Sequence, residues 1–105
     1  MVKTSKRLEF LFGMAQTSQD PLVGYGLAME YRSLERFDEA VTTFAALRAR
    51  TPTYLPMYLM CGLTLAHMGR SDEAREWFAA GISAAGSAGD THALSELENA
   101  RAAVE

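Results

Sequence analysis

A 34-residue internal repeat constrains this chain more than any other feature. Residues 36–46 read RFDEAVTTFAA and residues 70–80 read RSDEAREWFAA. Seven of the eleven aligned positions are identical: Arg36/Arg70, Asp38/Asp72, Glu39/Glu73, Ala40/Ala74, Phe44/Phe78, Ala45/Ala79 and Ala46/Ala80. Upstream the match keeps its character, with small Ala28 opposite Gly62 and apolar Leu27, Tyr31, Tyr25 and Met29 opposite Cys61, Leu65, Leu59 and Leu63. A fixed period of this length marks a unit that cannot bury its apolar face alone and must stack on its neighbours.

Each unit reads as two helices. In the first, Asp20 supplies an N-cap acceptor and Pro21 suits the first helical position. Val23, Leu27 and Tyr31 then recur on one face, with Ala28 between them. The second helix opens at Asp38-Glu39, where acids favour the positive end of the helix dipole. Its inward stripe is Ala40, Val41, Phe44 and Leu47, and Thr51-Pro52 ends it. The second unit repeats the plan: a helix over 54–68, a stop at Gly69, Ser71 as N-cap, and Ala74, Trp77, Phe78 and Ile82 inward. This last helix is expected to fade into the small-residue stretch 84–89. Flanking helices are expected over 5–17, with Leu8, Leu11, Phe12 and Ala15 on one stripe, and over 91–104, with Leu94, Leu97 and Val104. Six antiparallel helices joined by short turns make three stacked hairpins.

Composition agrees with an all-α chain. Of the 105 residues, 49% are apolar and only three are proline, enough for one core and good for helix. The net charge of −3 is dispersed, so nothing suggests a nucleic-acid face or a charged tail. Lys3, Lys6 and Arg7 precede an apolar stretch from Leu8 to Ala15, as in a secretory signal. Glu9 interrupts that stretch and no small-x-small cleavage site follows, which argues against one. No segment reaches the ~20 apolar residues of a membrane span. The single cysteine, Cys61, cannot form an internal disulfide, and the expected compartment is the cytoplasm.

The spacing Leu27-Ala28-x-x-Tyr31, Ala40-x-x-x-Phe44 and Pro52, repeated as Tyr58-x-x-Cys61-Gly62-x-x-Leu65, Gly69 and Ala74-x-x-x-Phe78, resembles the tetratricopeptide repeat. Small residues at Ala28, Gly62, Ala40 and Ala74 let paired helices approach, while Tyr31, Phe44 and Phe78 fill the spaces between. Departures are Gly24 in place of an aromatic, Glu35 in place of the turn glycine, and Gly86 where Pro52 would repeat. The whole chain also looks like small stand-alone bacterial members, in which an N-terminal helix precedes a Pro-initiated first repeat and a terminal Gly-Asp...Glu-Leu helix follows the second, here Gly89-Asp90 and Glu96-Leu97.

The resemblance implies one domain over 1–105: an N-terminal helix at 5–17, repeats at 21–54 and 55–88, and a capping helix at 91–104. It implies a right-handed helical solenoid whose concave groove binds a protein or peptide, with no cofactor. Groove positions by resemblance include Leu22, Tyr25, Met29 and Arg32, then Leu59, Leu63 and His67. Such an apolar wall suits an amphipathic helix. With Tyr25 and Met29 at the first clamp positions, grip on a C-terminal carboxylate is disfavoured. Alternatively, Leu94 and Leu97 of the terminal helix occupy the wall as an intramolecular cap.

Phe10 and Met14, one turn apart on a second face of the first helix, leave two alternatives open. Either the neighbouring hairpin covers them, or a second copy does and the chain is a self-assembling homodimer. Catalysis has little support. His67 and His92 lie on different helices without metal-ligand spacing. Cys61 falls on the inward stripe, far from the exposed electropositive setting a reactive thiol needs. The glycines form no phosphate-cradling loop, and the Asp-Glu pairs read as helix starts.

Overall fold

The computed structural model describes residues 2–104, and among them lie six helices and no strand. These are α1 (Lys6–Ala15), α2 (Pro21–Ser33), α3 (Phe37–Arg50), α4 (Pro56–His67), α5 (Ser71–Ala88) and α6 (Thr91–Ala103). The chain divides into two compact units, Met1–Thr51 and Pro52–Glu105.

In the first unit α2 and α3 form a hairpin, and α1 lies against α2. Asp20 caps α2 by accepting from the Leu22 N–H at 3.0 Å. The hairpin core is Leu27, Ala28, Tyr31, Ala40, Phe44 and Leu47, with Val41 half-buried at its edge. Ser5 joins α1 to this hairpin. Its Oγ accepts from the Leu8 N–H at 2.9 Å, capping α1, and donates to Glu30 Oε2 on α2 at 2.8 Å.

Only part of the expected α1 stripe is inward. Leu8 is buried and Leu11 and Ala15 are half-buried, but Phe12 is 52% exposed. Phe12 lies at the flank of that stripe, and a helix leaning on one neighbour can cover only one narrow face. For the same reason the neighbouring hairpin does not cover Phe10 or Met14, which are 67% and 39% exposed.

The α2–α3 turn explains the glycine departure. Helix α2 ends in a Schellman turn, with Arg36 N–H donating to the Tyr31 carbonyl at 2.9 Å and Glu35 N–H to the Arg32 carbonyl at 3.0 Å. That turn needs one left-handed residue, and Glu35 supplies it at φ 60°. Its counterpart is Gly69, at φ 79° in the same turn after α4. Left-handed backbone costs a side-chain-bearing residue about 1–2 kcal/mol. The ion pair from Lys3 to Glu35 is exposed on both sides and offsets little of this. Glu35→Gly is therefore expected to raise stability by roughly 1 kcal/mol. Thermal unfolding should shift upward by about 4–8 °C; an unchanged or lower midpoint would contradict this account of the turn.

Both second helices open on the same fork. Arg36 Nε and Nη2 grip Glu39 at 2.6 and 2.7 Å, and Arg70 grips Glu73 at 2.8 and 2.6 Å. Arg36 also stacks on the Tyr31 ring, 4.9 Å from its centroid, and donates to the Lys3 carbonyl at 3.0 Å. The forks hold the Glu39 and Glu73 carboxyls below the ordinary range, chiefly by hydrogen bonding to arginine. Depressed folded-state values mean that this modest stabilisation is present at neutral pH and lost as acid protonates the carboxylates.

The second unit follows the plan with shifted boundaries. Helix α4 starts at Pro56 rather than at 54. Ser71 is the first residue inside α5 and not its cap, because the turn after Gly69 leaves Arg70 as the junction residue. Helix α5 does not fade at 84: its alanine-rich end stays helical until Gly89, at φ 69°, turns the chain in another Schellman motif. Asp90 then caps α6 by accepting from the Ala93 N–H at 2.9 Å. The core here is Met57, Tyr58, Cys61, Leu65, Ala74, Trp77, Phe78 and Leu97, while Ile82, Leu94 and Val104 are half-buried.

Two glycines set the α4–α5 spacing. A Cβ on Gly62 would fall 2.2 Å from the Phe78 ring, and one on Gly81 would fall 2.6 Å from Tyr58 Cβ and 3.0 Å from both Leu97 methyls. Aligning the repeats exposes an exchange of sizes. Repeat one has Gly24 on its first helix and Leu47 on its second, with Leu47 Cδ1 3.4 Å from where a Gly24 Cβ would be. Repeat two has Tyr58 and Gly81 at the same positions, 34 residues on. Each hairpin puts one large and one small residue at this crossing, with the helices reversed.

Candidate functional site

The expected groove residues fall on one stripe of each first helix. Leu22, Tyr25, Met29 and Arg32 are spaced i, i+3, i+7, i+10 along α2, and Leu59, Leu63 and His67 are spaced i, i+4, i+8 along α4. In the first unit Leu22 is 62% exposed, while Tyr25, Met29 and Arg32 are half-buried. The Tyr25 ring tilts at 60° against the buried Phe44, 6.2 Å between centroids, so part of this residue belongs to the hairpin core. In the second unit Leu59 is half-buried, Leu63 is 37% exposed and His67 is exposed. Helix α6 lies chiefly on α5, with Leu97 seated at Gly81, and leaves Leu63 accessible.

The other residues singled out are placed as follows. Cys61 is fully buried and reduced. It should label with a thiol reagent only as fast as the protein unfolds, because a buried apolar setting disfavours the thiolate. Rapid labelling of the folded protein would refute this. His92 is exposed on α6, its Nε2 3.3 Å from Glu96 one turn on. Among the described residues no group of three or more histidine, cysteine or acidic side chains is arranged to hold a metal ion. No described helix is long and apolar enough to cross a membrane.

One hollow has no counterpart among the residues expected from the sequence. It lies in the first unit, measures about 350 Å³, and is lined by the end of α1 at Ala15, by Gly24 and Leu27 of α2, and by one face of α3 including Thr43, Ala46 and Arg50. The signal was already in the repeat alignment: Gly24 and Thr43 stand opposite Tyr58 and Trp77, so two rings present in one repeat are missing from the other.

These observations define a class first: a helical-repeat protein built on two copies of one hairpin, with a flanking helix on each side in sequence. A family model described as tetratricopeptide repeat matches residues 55–87, the second copy. A tetratricopeptide repeat domain protein from Salinibacter ruber, solved in solution, is 31% identical with a TM-score of 0.78, over 83% of this chain and 88% of that one. A crystal structure of such a domain from the same organism is 32% identical, TM-score 0.72, over 78% and 92% of the two chains. A solution structure of a Bordetella parapertussis protein is 29% identical, TM-score 0.81, over 96% and 89%. No curated protein matches the chain. The chain belongs to the tetratricopeptide repeat family.

Proposed function

We propose that this protein is a non-catalytic scaffold of the cytoplasm that binds a protein or peptide partner on the outer stripes of α2 and α4. The observation that carries this reading is an exposed leucine on each of those helices, Leu22 on α2 and Leu63 on α4. Large aliphatic side chains left in water on a regular stripe suit the apolar face of an amphipathic helix. Arg32 and His67 stand at the ends of the two rows and suit a partner with acidic flanks.

The test is a displayed library of amphipathic helical peptides, selected on the wild-type protein and re-measured on Met29→Glu and Leu63→Glu. Selected peptides should lose at least about tenfold in affinity on each variant, equal to about 1.4 kcal/mol. The melting temperatures of the variants should stay nearly unchanged, because neither side chain is buried. Peptides that bind the variants as well as the wild type would place the site elsewhere, and collapse of Met29→Glu would make Met29 a core residue.

Self-association is the second reading, and the exposure of Phe10 and Met14 on α1 favours it. Light scattering across a concentration range checks it directly. A dimer that Phe10→Asp converts to a monomer supports this reading, whereas a monomer at every concentration removes it.

A further inference from the structure

The two flanking helices differ in what they leave in water. Helix α6 exposes His92, Ser95, Glu96, Glu98, Asn99 and Arg101, and no large apolar side chain. That is the polar outer face expected of a terminal helix in a repeat protein. Of the six large apolar side chains exposed among the described residues, four lie at the other end of the sequence: Val2, Phe10, Phe12 and Met14.

The face of α1 turned away from α2 has a definite composition. Lys6, Phe10 and Met14 are spaced i, i+4, i+8, opposite buried Leu8 and half-buried Leu11 and Ala15, and Arg7 lies beside them. All four are exposed, Phe10 at 67%. Glu9, one residue before Phe10, is turned about 100° from it onto the flank. The outer face therefore holds two cations and no acid. Arg7 Nε lies 3.3 Å from Glu30, yet the arginine side chain stays 69% exposed. Such a surface pair is weak and leaves the guanidinium open to a second anion. Residues 1–17 carry three cations against one acid, whereas the rest of the chain has a net charge of −5.

Charge and shape select the occupant. A second copy meeting this face with its own would bring two more cations and no carboxylate. A single helix backed by one neighbour is a convex ridge, which suits a deformable surface. An anionic bilayer offers phosphates to Lys6 and Arg7 and an apolar boundary to Phe10 and Met14 at once. A helix is about 10 Å thick, so acids on the far side of α1 are screened from that surface by the ~8 Å Debye length.

We propose that the outer face of α1 docks on an anionic phospholipid surface, with Lys6 and Arg7 on headgroup phosphates and Phe10 and Met14 at the acyl boundary. The self-association reading draws on the same two apolar side chains, and the cations beside them separate the two. With so few anchoring residues the attachment is weak and reversible, and it does not depend on the α2 and α4 stripes.

The test is flotation of the full chain with vesicles of phosphatidylcholine, with and without an equal share of phosphatidylglycerol. The protein should float with the anionic vesicles at millimolar lipid, stay behind with phosphatidylcholine alone, and be released by about 0.5 M salt. Lys6→Glu and Phe10→Ser should each weaken flotation by at least about fivefold, while Leu22→Ser, outside this face, should leave it unchanged. Both α1 positions are exposed, so circular dichroism melts should match the wild type. Phe10→Trp adds an exposed reporter to the buried Trp77, and its emission should shift to the blue only when anionic vesicles are added. No flotation, or equal flotation with both vesicles, would overturn the proposal. A blue shift that grows with protein concentration in the absence of vesicles would also overturn it and give the face to a second copy.

Discussion

Truncating Phe78 to alanine should cost about 3–5 kcal/mol, and Phe44→Ala should cost a similar amount. Both rings are fully buried, and each stands at the same register of its repeat. Phe78 also lies across the glycine face of α4, with ring atoms 2.2, 2.6 and 2.7 Å from where a Gly62 Cβ would be. That contact adds a coupled expectation. Gly62→Ala in the wild type should be destabilising by about 3 kcal/mol, since overpacking a rigid core forces side chains or backbone to shift. In the Phe78→Ala background the same substitution should become neutral or favourable, because alanine is the better helix residue by about 1 kcal/mol. Denaturant unfolding of the four proteins in the cycle measures the coupling. A Phe78→Ala loss below about 1 kcal/mol, or additive effects, would contradict the packing register.

Gly81→Leu should be at least as damaging, and would leave little of a typical domain's ~5–15 kcal/mol. The first atom of the new side chain already meets Tyr58 Cβ at 2.6 Å and the Leu97 methyls at 3.0 Å. Three helices converge there: Tyr58 on α4, Gly81 on α5 and Leu97 on α6. Only Leu97 has a side-chain end that can yield, and yielding would lift α6 off α5. Leucine at the equivalent position 47 is accommodated because Gly24 faces it. The double variant Tyr58→Gly/Gly81→Leu imitates that arrangement and should recover part of the lost stability. Circular dichroism melts of the single and double variants decide the point. A Gly81→Leu protein as stable as the wild type would refute the close approach, and a double variant no better than the single would refute the exchange.

The legible and illegible parts of this fold separate by physical cause. Helix starts at Asp20-Pro21 and Asp90, and the stop at Gly69, were readable because each depends on one residue's backbone preference or side-chain acceptor. The core alanines and phenylalanines were readable because the period places them twice. The end of α5 is not legible, because alanine, serine and glycine together read as a loop while the helix already running above them favours continuation. The exposure of Phe12 is not legible either, because helical periodicity gives a face but not the width of what covers it. In the sequence Gly24 reads only as a departure from an aromatic position.

The repeat in this sequence determined the helices, their pairing into hairpins and the residues that face inward, because those follow from local backbone preferences and a 34-residue period. Tertiary structure alone decided which large residue faces which small one and which side of α1 stays in water. Those outcomes depend on the distance between two packed helices, a quantity that no single stretch of sequence encodes.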